Sequence, residues 1–149
     1  MQEYALPASS KFLVHDDGVY GPLMHQSIIA QLTAGLYPLY RSGRIPYEPL
    51  PETMLTEGYA TPVPDVILYD HQAEDTKVII EICKNTGLKH DTSKVVSLIE
   101  KDSYGILEGF VYNYKTNQWL RYRKGDGGQA TESAFSEVLN LDLGAFLTP

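Results

Sequence analysis

The chain is poor in cysteine, in cations and in long apolar runs. A single cysteine, Cys83, among 149 residues excludes an internal disulfide, and with it a fold stapled for an oxidising compartment. A cytoplasmic protein is the expectation. No apolar run approaches the roughly 20 residues of a membrane-spanning helix. The opening MQEYALPASSKFLVHDDG lacks the layout of a signal peptide, so no membrane association is expected. Lys and Arg number 12 against 19 Asp and Glu, giving a net charge of −7 and a pI near 5.0. That argues against a broad basic surface for gripping phosphates. The cations are clustered, however: Lys84, Lys89, His90 and Lys94 form one group, and Arg121, Arg123 and Lys124 another. Each group alone reads as ordinary solvated surface.

There is no internal repeat and no low-complexity tract. The length suits one domain over residues 1–149 with a proper core. Met24, Ile28, Ile29, Leu32 and Leu36 recur at helical spacing behind Pro22, which suits a first turn, so the pattern predicts an amphipathic helix from Pro22 to about Leu36. Gly35 and Pro38 mark its expected end. The following segment carries Pro46, Pro49, Pro51 and Pro62 and leaves room only for short edge strands, near Glu48 and Met54. Asp65 to Tyr69 reads as a strand, HQAEDT as a turn and Lys77 to Cys83 as a second strand. Both strands are almost continuously apolar, as central strands covered on two faces are. A helix is expected from about Asp91 to Lys101, capped by Asp91 or Thr92, with Val95, Leu98 and Ile99 as its apolar stripe. ILEGFVYNY and WLRYRK then form a hairpin closed by KTNQ, and GDGGQ breaks it. Residues Ser133 to Leu147 read as a short terminal helix or a segment capping the sheet. The fold class is therefore α/β or α+β, a mixed sheet flanked by helices.

Two acids stand out in this pattern. Side chains alternate along a strand, so Lys77, Ile79, Glu81 and Cys83 share one face, and Val78, Ile80, Ile82 and Lys84 the other. Glu81 is thus set deep in an apolar strand, where an ionised carboxylate needs a cation, donors or a metal. Asp65 begins the neighbouring strand after Pro64. If the two strands pair as an antiparallel hairpin, Asp65 and Glu81 converge at one rim of the sheet. Two carboxylates with a backbone carbonyl such as that of Ile82 make an oxygen site for Mg²⁺ or Mn²⁺. A nearby lysine would orient a water or offset charge on a phosphoryl oxygen.

Pro64-Asp65 followed by Glu81-Ile82-Cys83-Lys84 resembles the PD-(D/E)xK motif of restriction-endonuclease-like nucleases. More narrowly, the chain resembles a bacterial family of candidate restriction endonucleases. In that family PDV is followed by an E-V or E-I strand end, a D-x(2–3)-K helix and a Gly-x-x-Glu-Tyr-Trp-like strand. The matching pieces are His25-Gln26, Pro64-Asp65-Val66, Glu81-Ile82, Asp91 with Lys94, and the run from Gly105 through Glu108 to Tyr112. The resemblance covers about Pro22 to Lys124. It implies a restriction-endonuclease-like fold and Mg²⁺- or Mn²⁺-dependent hydrolysis of phosphodiester bonds in DNA. Asp65, Glu81 and the Ile82 carbonyl would hold the metal, and Lys94 or Lys84 would act beside it, in a chain that is plausibly a homodimer.

One position departs from the superfamily. Its lysine lies two residues after the glutamate, where this chain has Cys83, and Lys84 falls one place late. A bulge would bring Lys84 inward, Lys94 would reach back from its helix, or the lysine is lost. Lys94 is preferred because the family-like helix carries it. In the last case the chain is a catalytically inactive member of the fold, binding nucleic acid or a protein partner. An unrelated interaction module with Glu81 neutralised by Lys94 is a further reading. Glu48 and Glu52 read as surface acids, and His25 as a cap or surface group. Cys83 reads as a small core residue, and His15, His71 and His90 have no zinc-ligand spacing with it. Phe110, Tyr112, Tyr114, Trp119 and Tyr122 read as sheet packing rather than base stacking.

Overall fold

The computed structural model describes residues 17–56, 61–101 and 104–148; His15 lies outside them. Helix α1 (Asp17–Arg41) is followed by strands β1 (Glu48–Pro51), β2 (Val66–Asp70) and β3 (Asp75–Cys83). Helix α2 (Leu88–Glu100) leads to β4 (Glu108–Asn113), β5 (Gln118–Arg123), β6 (Thr131–Glu132), β7 (Phe135–Ser136) and β8 (Leu141–Asp142). The first six strands form one mixed sheet in chain order, in which only β3 and β4 run parallel. Helix α2 makes that crossover, as a parallel pair requires. The result is an α+β fold with a helix on each face of the sheet.

The two faces explain the two apolar strands. Val66, Leu68, Val78, Ile80 and Ile82 pack with Ile28, Ile29, Leu32 and Leu36 of α1. Ile67, Ile79 and Cys83 pack with Val95, Leu98 and Ile99 of α2. Phe110, Tyr112 and Trp119 are buried in the first layer and Tyr122 in the second, so the aromatic hairpin is core. Among the described residues no helix is long and apolar enough to cross a membrane.

Three local expectations are corrected, and an open alternative at the C-terminal end is decided. Helix α1 does not end at Gly35 or Pro38 but runs to Arg41. Pro38 forfeits one backbone donor near the helix end, while Leu36, Leu39 and Tyr40 beyond Gly35 still bury against the core. Gly35 marks a close approach instead, since a Cβ there would sit 2.2 Å from the Phe146 ring. Helix α2 starts at Leu88, behind a 3-10 turn over Asn85–Gly87, and its N-cap Gly87 makes no side-chain cap bond. Neither expected cap acts as one: Asp91 lies within the first turn, and Thr92 donates its hydroxyl back to the Leu88 carbonyl at 2.6 Å. Met54 lies in no strand; only Glu48–Pro51 pairs, as an edge strand that tolerates Pro49 and Pro51. The terminal segment is a cap without an α-helix: β7, β8 and a 3-10 turn over Leu143–Phe146 lie against α1 and the core.

Candidate functional site

Strands β2 and β3 are antiparallel with Val66 opposite Ile80. One step further out, that register sets Asp65 opposite Glu81, both on the α2 side of the sheet. Pro64 then stands opposite Ile82. The Glu52 N–H donates to the Asp65 carbonyl at 2.9 Å, so the backbone of Asp65 faces β1 and that of Val66 faces β3. Pro64 therefore takes the next place facing β3, where an ordinary residue would donate to the Ile82 carbonyl. Proline has no N–H to give. Separately, the Ile82 N–H donates to the Asp65 side chain, at Oδ2, 2.7 Å away.

The other oxygen of Asp65 meets α1. His25 Nε2 lies 3.0 Å from Asp65 Oδ1, with the histidine side chain 28% exposed and the aspartate 14%. Glu81 is deeper, 5% exposed, and Lys94 Nζ of α2 lies 3.2 Å from its Oε2. The ammonium is within ion-pair distance of the buried Oε2 but at an angle poor for a hydrogen bond. Burial first, and then the Asp65 charge, push the Glu81 carboxyl up to about 8; Lys94 opposes them and Asp91 adds to them. Burial likewise raises Asp91, with Lys94 and His90 opposing. Burial and the Asp91, Glu81 and Asp65 charges push the Cys83 thiol up to about 12, so this cysteine is no nucleophile at neutral pH.

A cleft of about 360 Å³ opens at this rim, lined among others by His25, Ile82, Cys83, Lys84, Asp91 and Tyr114. Asp65, Glu81 and Lys94 do not line the cleft; the β2–β3 register, the Asp65–Ile82 bond and the Lys94–Glu81 pair bring Asp65, Glu81, Lys94 and Ile82 together beside it. Lys84 lines the same cleft just beyond the end of β3, so the two lysines approach from different elements. His25 and Asp91 are the residues whose part here the sequence reading did not see. A signal existed for His25, which continues the buried stripe of Ile28, Ile29 and Leu32 one turn toward the start of α1. Of the second basic group, Arg121 and Arg123 pair with Glu137, and Arg123 also with Asp126.

Glu108, in the strand matched to the family, sits elsewhere and is engaged differently. It is fully buried on the α1 face. Its carboxylate accepts the Ser136 hydroxyl at 2.6 Å, the Glu137 N–H at 2.9 Å and the Val138 N–H at 3.4 Å. It clamps the terminal cap to the sheet.

Among the described residues no three His, Cys, Asp or Glu side chains form a group able to hold a metal alone. Magnesium does not require one, since it is commonly held by one or two carboxylates with waters completing the shell. Two adjacent carboxylates, a buried oxygen without a directed donor and a carbonyl with no β2 donor opposite it fit such an ion.

No family model and no curated protein matches the chain. Among solved structures, a DUF820 protein from Anabaena variabilis ATCC 29413, described as a candidate nuclease, superposes with a TM-score of 0.57 over 82% of this chain and 80% of its own, at 16% identity. The fold is nuclease-like. At that identity the likeness shows the architecture alone.

Proposed function

We propose that the chain is a divalent-metal-dependent nuclease of the PD-(D/E)xK type that hydrolyses phosphodiester bonds in DNA. The observation that carries this reading is the juxtaposition at the β2–β3 rim. Two acids lie side by side, the deeper one has an oxygen without a directed donor, and Lys94 stands 3.2 Å away. Asp65, Glu81 and the Ile82 carbonyl would hold Mg²⁺ or Mn²⁺. Such an ion supplies Lewis-acid polarisation of a phosphoryl oxygen and an acidified water.

The protein's own groups do the rest. Asp65 is oriented through both oxygens, by the Ile82 N–H and by His25. Glu81 is kept from bulk water by α2 and the sheet, which strengthens every charge interaction it makes. Lys94 takes the place of the superfamily lysine from a neighbouring helix, offsetting negative charge beside Glu81. Lys84 lines the cleft, where it would meet a substrate phosphate and fix its position.

A second reading rests on Cys83, which stands where the superfamily carries lysine: a member of the fold that binds metal or nucleic acid without cutting. One experiment separates the two. Supercoiled plasmid and oligonucleotides are incubated with the protein in Mg²⁺, Mn²⁺ or EDTA, beside Asp65→Asn and Glu81→Gln. Cleavage that requires metal and vanishes in both variants is the expected result. A metal-dependent rise in Tm without cleavage supports the second reading, and indifference to metal in both assays overturns the nuclease reading and the metal-binding form of the second.

A further inference from the structure

We infer that His25 is a positioning residue for Asp65, a tie from α1 that fixes this carboxylate before a cation arrives; the inference rests on the metal-site reading above. The two oxygens of Asp65 are held from different elements. The Ile82 N–H of β3 donates to Oδ2 at 2.7 Å, and His25 Nε2 lies 3.0 Å from Oδ1. The carboxylate is therefore held by one hydrogen bond and one close ion-pair contact, from different elements, and a rotation about χ2 disturbs both. Each carboxylate oxygen keeps a further lone pair, so the bonds orient Asp65 without using up its capacity to hold a cation.

The tie is rigid at its far end. Ile28 and Ile29, about one turn along α1, are each 3% exposed and hold the helix against the sheet, which fixes the backbone from which His25 reaches Asp65. Its ring also lines the cleft with Ile82 and Asp91. The arrangement links α1, the start of β2 and the end of β3 through one carboxylate, whereas Glu81 has Lys94 alone beside it. Groups that orient a metal-binding side chain act through the entropy and geometry of that side chain. Removing them typically weakens metal affinity about 10- to 100-fold.

The test is a Mn²⁺ titration of the full-length protein at one fixed pH, with free Mn²⁺ read by electron paramagnetic resonance and circular dichroism confirming the fold. His25→Ala is expected to weaken binding about 10- to 100-fold. His25→Gln, whose amide nitrogen reaches toward the place of Nε2, is expected to recover most of that loss. Met24→Ala, a neighbouring change at a residue 42% exposed, is expected to leave affinity unchanged. Wild-type affinity in a folded His25→Ala protein overturns the inference. So does a folded His25→Gln protein that binds far more weakly than wild type, which also decides the matter if His25→Ala fails to fold. No Mn²⁺ binding by the wild type, with Asp65→Asn behaving identically, overturns the metal-site reading itself and the inference with it.

Discussion

Glu81 and Glu108 are buried acids in adjacent strands of one sheet, and the protein treats them in opposite ways. Glu108 faces α1 and receives a hydroxyl and two backbone N–H groups, all from the terminal cap. Glu81 faces α2 beside a second acid, has one oxygen without a directed donor, and is pushed up to about 8 by burial and the Asp65 charge. Donors satisfy the first, so its burial holds the fold together. The second has only Lys94 beside its buried oxygen and a second acid next to it, a setting that suits the proposed metal site. Burial alone therefore does not mark the functional acid; the partners do.

The largest expected effect removes the satisfied acid. Glu108→Ala strands the Ser136 hydroxyl and the Glu137 and Val138 amides, at about 1–3 kcal/mol for each one left unpaired. Urea unfolding is expected to show a loss of about 3 kcal/mol or more, with no specific effect on metal affinity in the protein that remains folded.

Glu81→Gln is expected to have the opposite sign when metal is absent. The ordinary value of this carboxyl is 4.5 and the folded value about 8, so the folded chain holds a proton that the unfolded chain has released. The destabilisation grows as pH rises through about 4.5 and is complete above about 8. In EDTA, wild type and Glu81→Gln should match near pH 4. The variant should then gain on wild type as pH rises, by a few kcal/mol at the plateau, each pKa unit being about 1.4 kcal/mol. A variant less stable than wild type at pH 8 would assign Glu81 to a structural ion pair with Lys94.

Smaller changes sharpen the division of labour between the lysines. Lys94→Met removes the charge nearest Glu81 and is expected to lower kcat about 100-fold. Lys84→Met acts at the cleft wall and is expected to raise KM for DNA and flatten its salt dependence while leaving kcat nearly unchanged. Cys83→Ala is the smallest. A thiol pushed up to about 12 carries no charge near neutrality, so the cleavage rate should stay within about twofold of wild type.

Much of the frame was legible because period and composition specify it. The alternating faces of Lys77–Cys83 and the stripe of Ile28, Ile29 and Leu32 each predicted a buried side, and each packs as read. The misreadings came from distant contacts overriding local signals. Gly35 looks like a stop but makes room for Phe146, more than a hundred positions away in sequence. Asp91 looks like a cap, yet a preceding 3-10 turn moves the start of α2 forward to Leu88. At the site, hairpin logic and strand alternation brought Asp65 beside Glu81, and the resemblance to a family with a D-x(2–3)-K helix pointed to Lys94. The bond from His25 was invisible locally, since α1 and the start of β2 meet only in the folded chain. The role of Glu108 was hidden for the same reason, its donors lying about thirty residues downstream.

The most direct test of the central contrast is a ¹³C NMR titration of the Glu81 and Glu108 carboxyl carbons with and without saturating Mg²⁺. The account predicts that Glu81 titrates near 8 in the metal-free protein and shifts well down, toward the ordinary carboxylate range, when Mg²⁺ is present, while the Glu108 resonance does not respond to the ion. A Glu81 titration unchanged by Mg²⁺ would contradict it.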